Sequence, residues 1–237
     1  MKNQYFADRR DFLKYELLLD LAEQTSLRRL LSVLMLTPDD GSAEGSVMSY
    51  EPGRRRPALP AFLTGCLAAG TRRVSLLRDF MSRAAVDYLP YRDDEHFGGD
   101  GRASYFSSCT RLARDQRLIF FDPDVGLETG TAGYMRRRGI DKYLMYDELA
   151  AIAGAAPQEA VFVVYQHLQN DKRLVLENIE KKCRALCRAV HSPSAAFATD
   201  LDVAFLATSR VSEACSAAAR VVLSHGRHAL EVGEVAA

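Results

Sequence analysis

Carboxylates crowd into one short stretch of the chain, RLIFFDPDVGLE, running from Arg117 to Glu128. An apolar run, Leu118 to Phe121, ends on Asp122, and Pro123, Asp124, Gly126 and Glu128 follow. Carboxylates spaced in this way have three uses. They can accept the hydrogens of a substrate amine. They can share a divalent cation, whose charge relieves their mutual repulsion. With Pro and Gly beside them they can also simply turn the chain. Two other apolar runs end in comparable chemistry, LLSVLML in Thr37, Asp39 and Asp40, and AVFVVY in Tyr165, Gln166 and His167. TPDDG is equally compatible with turn formation alone, and His167 with a hydrogen-bonded residue at a strand end.

Such residues act together only if the fold brings them to one edge. Leu31 to Leu36, Leu118 to Phe121 and Val161 to Tyr165 are short unbroken apolar runs lying between helical patterns. That pattern predicts parallel strands of one sheet, covered on both faces. DFLKYELLLDLAEQ carries a helical apolar period, with Asp11 placed to cap it. PALPAFLTGCLAAG, ASYFSSCTRLARDQ, DKYLMYDELAAIAG and the long DKRLVLENIEKKCRALCRAV read as further helices, and SLLRDFMSRAAVDYL as a helix or a helix running into a strand. YRDDEHFGGDG is a polar, glycine-rich candidate for a mobile lid. DVAFLATS and ARVVLSH read as two closing strands able to pair antiparallel. The expectation is α/β: one doubly wound, mostly parallel sheet with an antiparallel edge strand, in a single domain over 1–237 with a tail, 1–10, lining the site. In such sheets ligands lie beyond the carboxyl ends of the strands where strand order reverses, so Asp39 or Asp40, Asp122, Asp124 and His167 should surround one pocket.

Composition narrows the function classes. The 31 basic residues balance the 31 acidic ones, so a nucleic-acid partner rests on local clusters, Arg54 to Arg56 and Arg136 to Arg138. Each cluster also fits a solvated loop. Five cysteines show no zinc spacing, and Cys183 and Cys187, four apart on one helical face, read as buried small apolar residues. No apolar run is long enough to cross a membrane, and MKNQYFADRRDF lacks the apolar core of a signal peptide, so the cytoplasm is the expected location.

The segment RDFLKYELLLDLAEQ, a strand and glycine-bearing loop after it, and a later strand ending in Asp-Pro together resemble the class I S-adenosylmethionine-dependent methyltransferase superfamily. The likeness is nearest to the bacterial 23S ribosomal RNA adenine methyltransferases and more distant to the three-Cys-motif partner proteins. Tyr5 and DFLKY, with Asp11, Lys14 and Tyr15, stand where those enzymes carry a tail tyrosine and an Asp-Val-Leu-Lys-His helix start. Asp122, Pro123, Asp124 and Val125 stand where they carry Asp-Pro-Pro-Tyr. The resemblance implies S-adenosylmethionine held by Lys14, Thr37, Asp39, Asp40 and Gly41. It implies a catalytic group of Asp122, Pro123, Asp124 and His167, and a nucleic-acid substrate met by Tyr5, Arg136 and Arg137. The chain departs from the family in spacing Gly41 and Gly45 widely, in placing Asp124 for a proline, and in placing Val125 for the aromatic that stacks on the target base.

Two other readings stay open. Asp122-Pro123-Asp124 also resembles the Asp-Pro-Asp segment of Toprim domains, which implies Mg²⁺ held by Asp39, Asp122, Asp124 and Glu128 and a metal-dependent nuclease or phosphodiesterase. The widely spaced glycines fit a catalytically inactive methyltransferase-fold binding module.

Overall fold

Asp8, rather than Asp11, begins the first helix. Its side chain accepts a hydrogen bond from the Asp11 backbone N–H at 2.7 Å, capping α1 (Arg9–Gln24). A computed structural model gives the fold over residues 1–41, 45, 47, 56–168, 172–225 and 231–237. α1 buries Leu17, Leu18 and Leu21 almost completely, each contributing about 1.5–3 kcal/mol relative to exposure. After it come β1 (Arg29–Leu34), α2 (Ala58–Ala68), α3 (Leu77–Arg83) and β2 (Asp87–Tyr91). α4 (Arg102–Leu112) leads into β3 (Leu118–Asp122). β4 (Gly126–Leu127) and β5 (Tyr143–Leu144) pair in a small separate ladder around α5 (Ala132–Arg138). α6 (Tyr146–Ala155), β6 (Val161–His167), α7 (Val175–Val190), β7 (Ser194–Thr199), β8 (Val203–Ser209), α8 (Ser212–Ser224) and β9 (Glu231–Ala236) complete the described chain.

Among the described residues the main sheet has seven strands, in the order β2-β1-β3-β6-β8-β7-β9. β2, β1, β3 and β6 are parallel, whereas β8, β7 and β9 form an antiparallel portion at one edge. Leu118 and Phe120 join the core under α1 and α8, while Ile119 and Phe121 join the opposite core under α4, α6 and α7. Alternate residues of one strand thus feed two apolar layers, which is why these strands read as unbroken apolar runs. The architecture is a Rossmann-like α/β sandwich. The chain passes outward from β1 to β2 and then returns to β3 on the other side of β1, so strand order reverses between β1 and β3, where Leu34 lies beside Asp122.

Several expectations need correction. ARVVLSH is not a strand: its residues complete α8, where Cys215, Ala218, Ala219 and Val222 make a buried stripe at helical spacing. Its alanine-rich start supplies the helix propensity that outweighs the short Val-Val run. The missing strands are β7 and β9. β7 is built largely of small residues, SAAFAT, and lies between two partners, so its neighbours rather than its own composition make it a strand. β2 tolerates Pro90 because it lies at the sheet edge. The glycine-rich loop after β2 is tethered rather than free: Phe97 is buried and donates its N–H to the Leu36 carbonyl at 2.6 Å. Cys183 and Cys187 are buried on α7 as expected, and all five cysteines are free thiols.

Candidate functional site

Asp122 ends β3 at the reversal point and is 1% exposed. The turn that follows is shaped by a clamp from β6. Gln166 Oε1 accepts from the Leu127 N–H at 2.8 Å, and its Nε2 donates to the His167 carbonyl at 2.6 Å and the Val125 carbonyl at 3.3 Å. His167 N–H also donates to the Val125 carbonyl at 2.9 Å. Gly126 makes room for this clamp: with φ of 133°, a Cβ there would run into the Gln166 side-chain amide. Gln166 is therefore the brace that sets the direction of Asp122, Pro123 and Asp124.

Lys14 governs the Asp122 carboxylate from the other side. Its ammonium stands 2.8 Å from Asp122 Oδ2 and 2.8 Å from Asp11 Oδ1, over the Tyr165 ring at 4.6 Å. Tyr15 adds a hydroxyl donor to Asp11 Oδ2 at 2.9 Å. With its donors committed in this way, Lys14 serves as the buried counter-ion of Asp11 and Asp122. Lys14, expected to hold a cofactor, lines the cleft and here holds Asp122 and Asp11. Burial pushes the Lys14 ammonium toward losing its proton, but the Asp11 and Asp122 charges prevail and raise its affinity for that proton. Asp8 is pushed up to about 7, first by burial and then by the Asp11 charge. Burial also favours protonation of Asp124, yet the Met1 amine, Lys2 and Lys142 together hold its carboxyl below the usual range.

Asp122 Oδ1 and Asp124 Oδ1 are buried and have no hydrogen-bond partner. Both residues line a narrow cleft, together with Pro123, Tyr5, Asp8, Arg10, Tyr165 and His167. Tyr165 and His167 meet edge to face, ring centroids 5.2 Å apart. The cleft thus unites the expected catalytic residues Asp122, Pro123, Asp124 and His167 with the tail residue Tyr5.

The tail does more than line the cleft. Met1 nitrogen donates to the Met35 carbonyl at 3.2 Å and the Asp122 carbonyl at 3.3 Å, and the Met1 carbonyl accepts from the Thr37 N–H at 2.8 Å. Lys2 Nζ lies 2.8 Å from Asp40 Oδ2 and 3.3 Å from Asp124 Oδ2, drawing those two carboxylates to one cation. Gln4 N–H donates to Asp39 Oδ1 at 3.0 Å, and Gln4 Oε1 accepts from the N–H groups of Asp40 at 3.0 Å and Gly41 at 3.3 Å. A Cβ on Gly45 would lie 2.8 Å from the Gln4 carbonyl oxygen. Thr37, Asp39, Asp40 and Gly41, expected to hold a cofactor, are all engaged by the chain's own residues Met1 to Gln4.

Other expected residues lie elsewhere. Glu128 accepts from the Tyr146 N–H at 2.7 Å at the start of α6 and does not line the cleft. Arg136 and Arg137 are exposed on α5, also outside the cleft, although Lys142 just beyond that helix reaches Asp124 at 3.6 Å. Arg54 and Arg55 lie outside the described residues, and Arg56 pairs with Asp20 and Glu23 of α1. Among the described residues no group of three or more His, Cys, Asp or Glu side chains is placed to hold a metal ion. Ammonium groups stand between the carboxylates instead.

Of two further residues, Arg10 lies within the tail expected to line the site, and Asp93 escaped the sequence reading. Arg10 lines the cleft and pairs with Asp202 at 3.5 Å. Asp93, two positions past β2, is 4% exposed, with Oδ1 held by Arg78 at 2.8 Å and Oδ2 without a hydrogen bond. An acidic residue just beyond the second strand was the available signal, hidden because β2 merges with the helix pattern before it.

Among the described residues no helix is long and apolar enough to cross a membrane. No protein-family model matches the chain, and no curated protein sequence matches it.

Proposed function

We propose that this chain is a class I S-adenosylmethionine-dependent methyltransferase-like protein that acts on or binds nucleic acid, presenting Asp122 to a target amine. One observation carries the reading: the buried Asp122 Oδ1, without a hydrogen-bond partner, in a cleft that Tyr5, Tyr165 and His167 share with charged side chains. A buried acceptor without a donor is costly, and an exocyclic amine entering the cleft would satisfy it. Lys14 on Oδ2 fixes the rotation of the carboxylate, so that Oδ1 is the oxygen offered to the amine. The Pro123 carbonyl is the second acceptor by resemblance. Val125 offers no ring, but Tyr5 and His167, which line the cleft, are rings of the kind on which a base stacks.

Bound S-adenosylmethionine would supply an electrophilic methyl group. The residues suited to holding it stand beyond the carboxyl ends of β1 and β2, the edge on which such sheets bind nucleotides. Asp93 Oδ2 at the end of β2 suits a ribose hydroxyl, and Thr37, Asp39, Asp40 and Gly41 offer the polar groups beyond β1. The metal-dependent nuclease reading loses Glu128 from its ligand set and must displace two lysine ammoniums. The inactive binding module is favoured by one observation, the engagement of the β1 loop by the tail.

Calorimetric titration with S-adenosylhomocysteine and, separately, with Mg²⁺ and Mn²⁺ tests the proposal. Nucleoside binding that survives Asp124→Asn is the expected result. A divalent-metal signal abolished by Asp124→Asn, with no nucleoside binding, would favour the nuclease. Nucleoside binding without methyl transfer to any nucleic acid would favour the binding module.

A further inference from the structure

We infer that residues 1–5 form an internal competitor for the cofactor cleft, a gate that must swing aside before a nucleoside ligand can enter; the identity of that ligand rests on the methyltransferase-like reading above. Met1 sits between the carboxyl ends of β1 and β3, its nitrogen on the Met35 and Asp122 carbonyls, at the place where an open α/β sheet receives its ligand. Gln4 engages the backbone N–H groups of Asp40 and Gly41, the kind of donors a nucleotide loop offers. Gly45, whose lack of a side chain would let backbone approach a cofactor, lets Gln4 and Tyr5 approach instead. Tail and ligand therefore require the same groups.

The chain also contains an anchor and a polar latch. Phe6 is fully buried, and Arg72 Nε donates to its carbonyl at 2.9 Å, so the tail can pivot there without disturbing α1. Ala7, with φ of 67°, makes the sharp bend between the tail and the helix. The latch beyond Phe6 is largely polar: the buried Lys2 pairs with the half-exposed Asp40 and the buried Asp124, and Gln4 holds the loop. The Gln4 contacts and the Asp40 end of the Lys2 pair lie in reach of water, where such interactions are weak and readily exchanged. A ligand that meets a mostly closed gate has its apparent affinity reduced by the open fraction.

The test uses the full chain, with Lys2→Gln and Gln4→Ala as separate variants. Hydrogen exchange reads the gate without any ligand. The Thr37, Asp40 and Gly41 amides should exchange on the order of tenfold faster in either variant, while amides in β1 and β3 stay at wild-type rates. Unchanged exchange at 37–41 in both variants overturns the gate, as does acceleration that spreads into β1 and β3. S-adenosylhomocysteine affinity reads the competition, and it should rise on the order of tenfold in both variants. Equal binding by wild type and both variants overturns the competition. Faster local exchange with no binding by any form supports the gate and instead overturns the methyltransferase-like reading.

Discussion

Lys14 Nζ lies 2.8 Å from Asp122 Oδ2 although 108 positions of sequence separate them, so α1 and β3 meet through a buried ion pair. The same ammonium holds Asp11, and both carboxylates are almost fully buried. Removing it would leave two like charges facing each other without water. Lys14→Met should destabilise the fold by about 3–5 kcal/mol, the usual result of orphaning a buried charge. The measurement is urea unfolding at neutral pH. A loss under about 1 kcal/mol would mean that the pair is solvated in solution.

The pH dependence of stability should carry the mark of Asp8. Its carboxyl is raised to about 7 in the folded chain from an ordinary 3.8, by burial first and the Asp11 charge second. Between those values the folded form holds a proton that the unfolded form has lost. Stability from this group is therefore complete below about pH 4 and lost as pH rises toward 7. Asp8→Asn keeps an acceptor for the Asp11 N–H and removes the titration. Relative to wild type it should gain stability between pH 5 and pH 8, read from parallel denaturation curves. A constant difference across that range would place the titration elsewhere.

Asp20 should behave in the opposite sense. Burial opposes its ionisation, but the hydrogen bond with His225, at 2.8 Å, and the Arg56 ion pair lower it to about 2. Its contribution is present above about pH 4 and lost as pH falls toward 2. Asp20→Asn should flatten the acid limb of the stability profile between those values. An acid limb identical to that of wild type would show that the His225 and Arg56 contacts contribute little.

Gly126 tests the brace on the site. Gly126→Ala would drive a methyl into the Gln166 amide, at a backbone conformation that only glycine adopts easily. A loss of at least about 1–3 kcal/mol is expected, together with weaker ligand binding as Asp122 and Asp124 shift. Gly130→Ala, with no atom within 4 Å of its added carbon, is the control and should be near neutral. Equal effects of the two changes would dismiss the Gln166 clamp.

The α5 arginines test the nucleic-acid part of the proposal. Arg136→Glu with Arg137→Glu should weaken binding to single-stranded RNA on the order of tenfold near 0.1 M salt and reduce the salt dependence of what remains. S-adenosylhomocysteine affinity should be unchanged, since neither arginine lines the cleft. Identical RNA binding by the wild type and the double variant would remove this patch from the interface.

Local sequence settled whatever local chemistry controls. LLSVLML, LIFF and VFVVY are apolar on both faces of a pleat, and only a sheet covered twice can bury such runs, so β1, β3 and β6 and the α/β class were legible. The carboxylates at the end of β3 were legible for the same reason, because a buried strand must end where polar residues begin. Tertiary structure decided the rest. β7 became a strand because β8 and β9 offered it hydrogen bonds, not because SAAFAT demands one. ARVVLSH became helix because the alanine-rich segment before it carried the helical stripe through. Glu128 stands close to Asp122 in sequence yet turns away to cap α6, whereas Lys14 and Gln166, distant in sequence, hold Asp122 and its loop in place. Ion pairs and hydrogen bonds act through space at about 3 Å, and sequence spacing cannot say which residue of a distant helix or tail will arrive there. For that reason the chain alone pointed to a site with its tail alongside, and only the fold showed Met1 to Gln4 bound to Thr37, Asp39, Asp40 and Gly41.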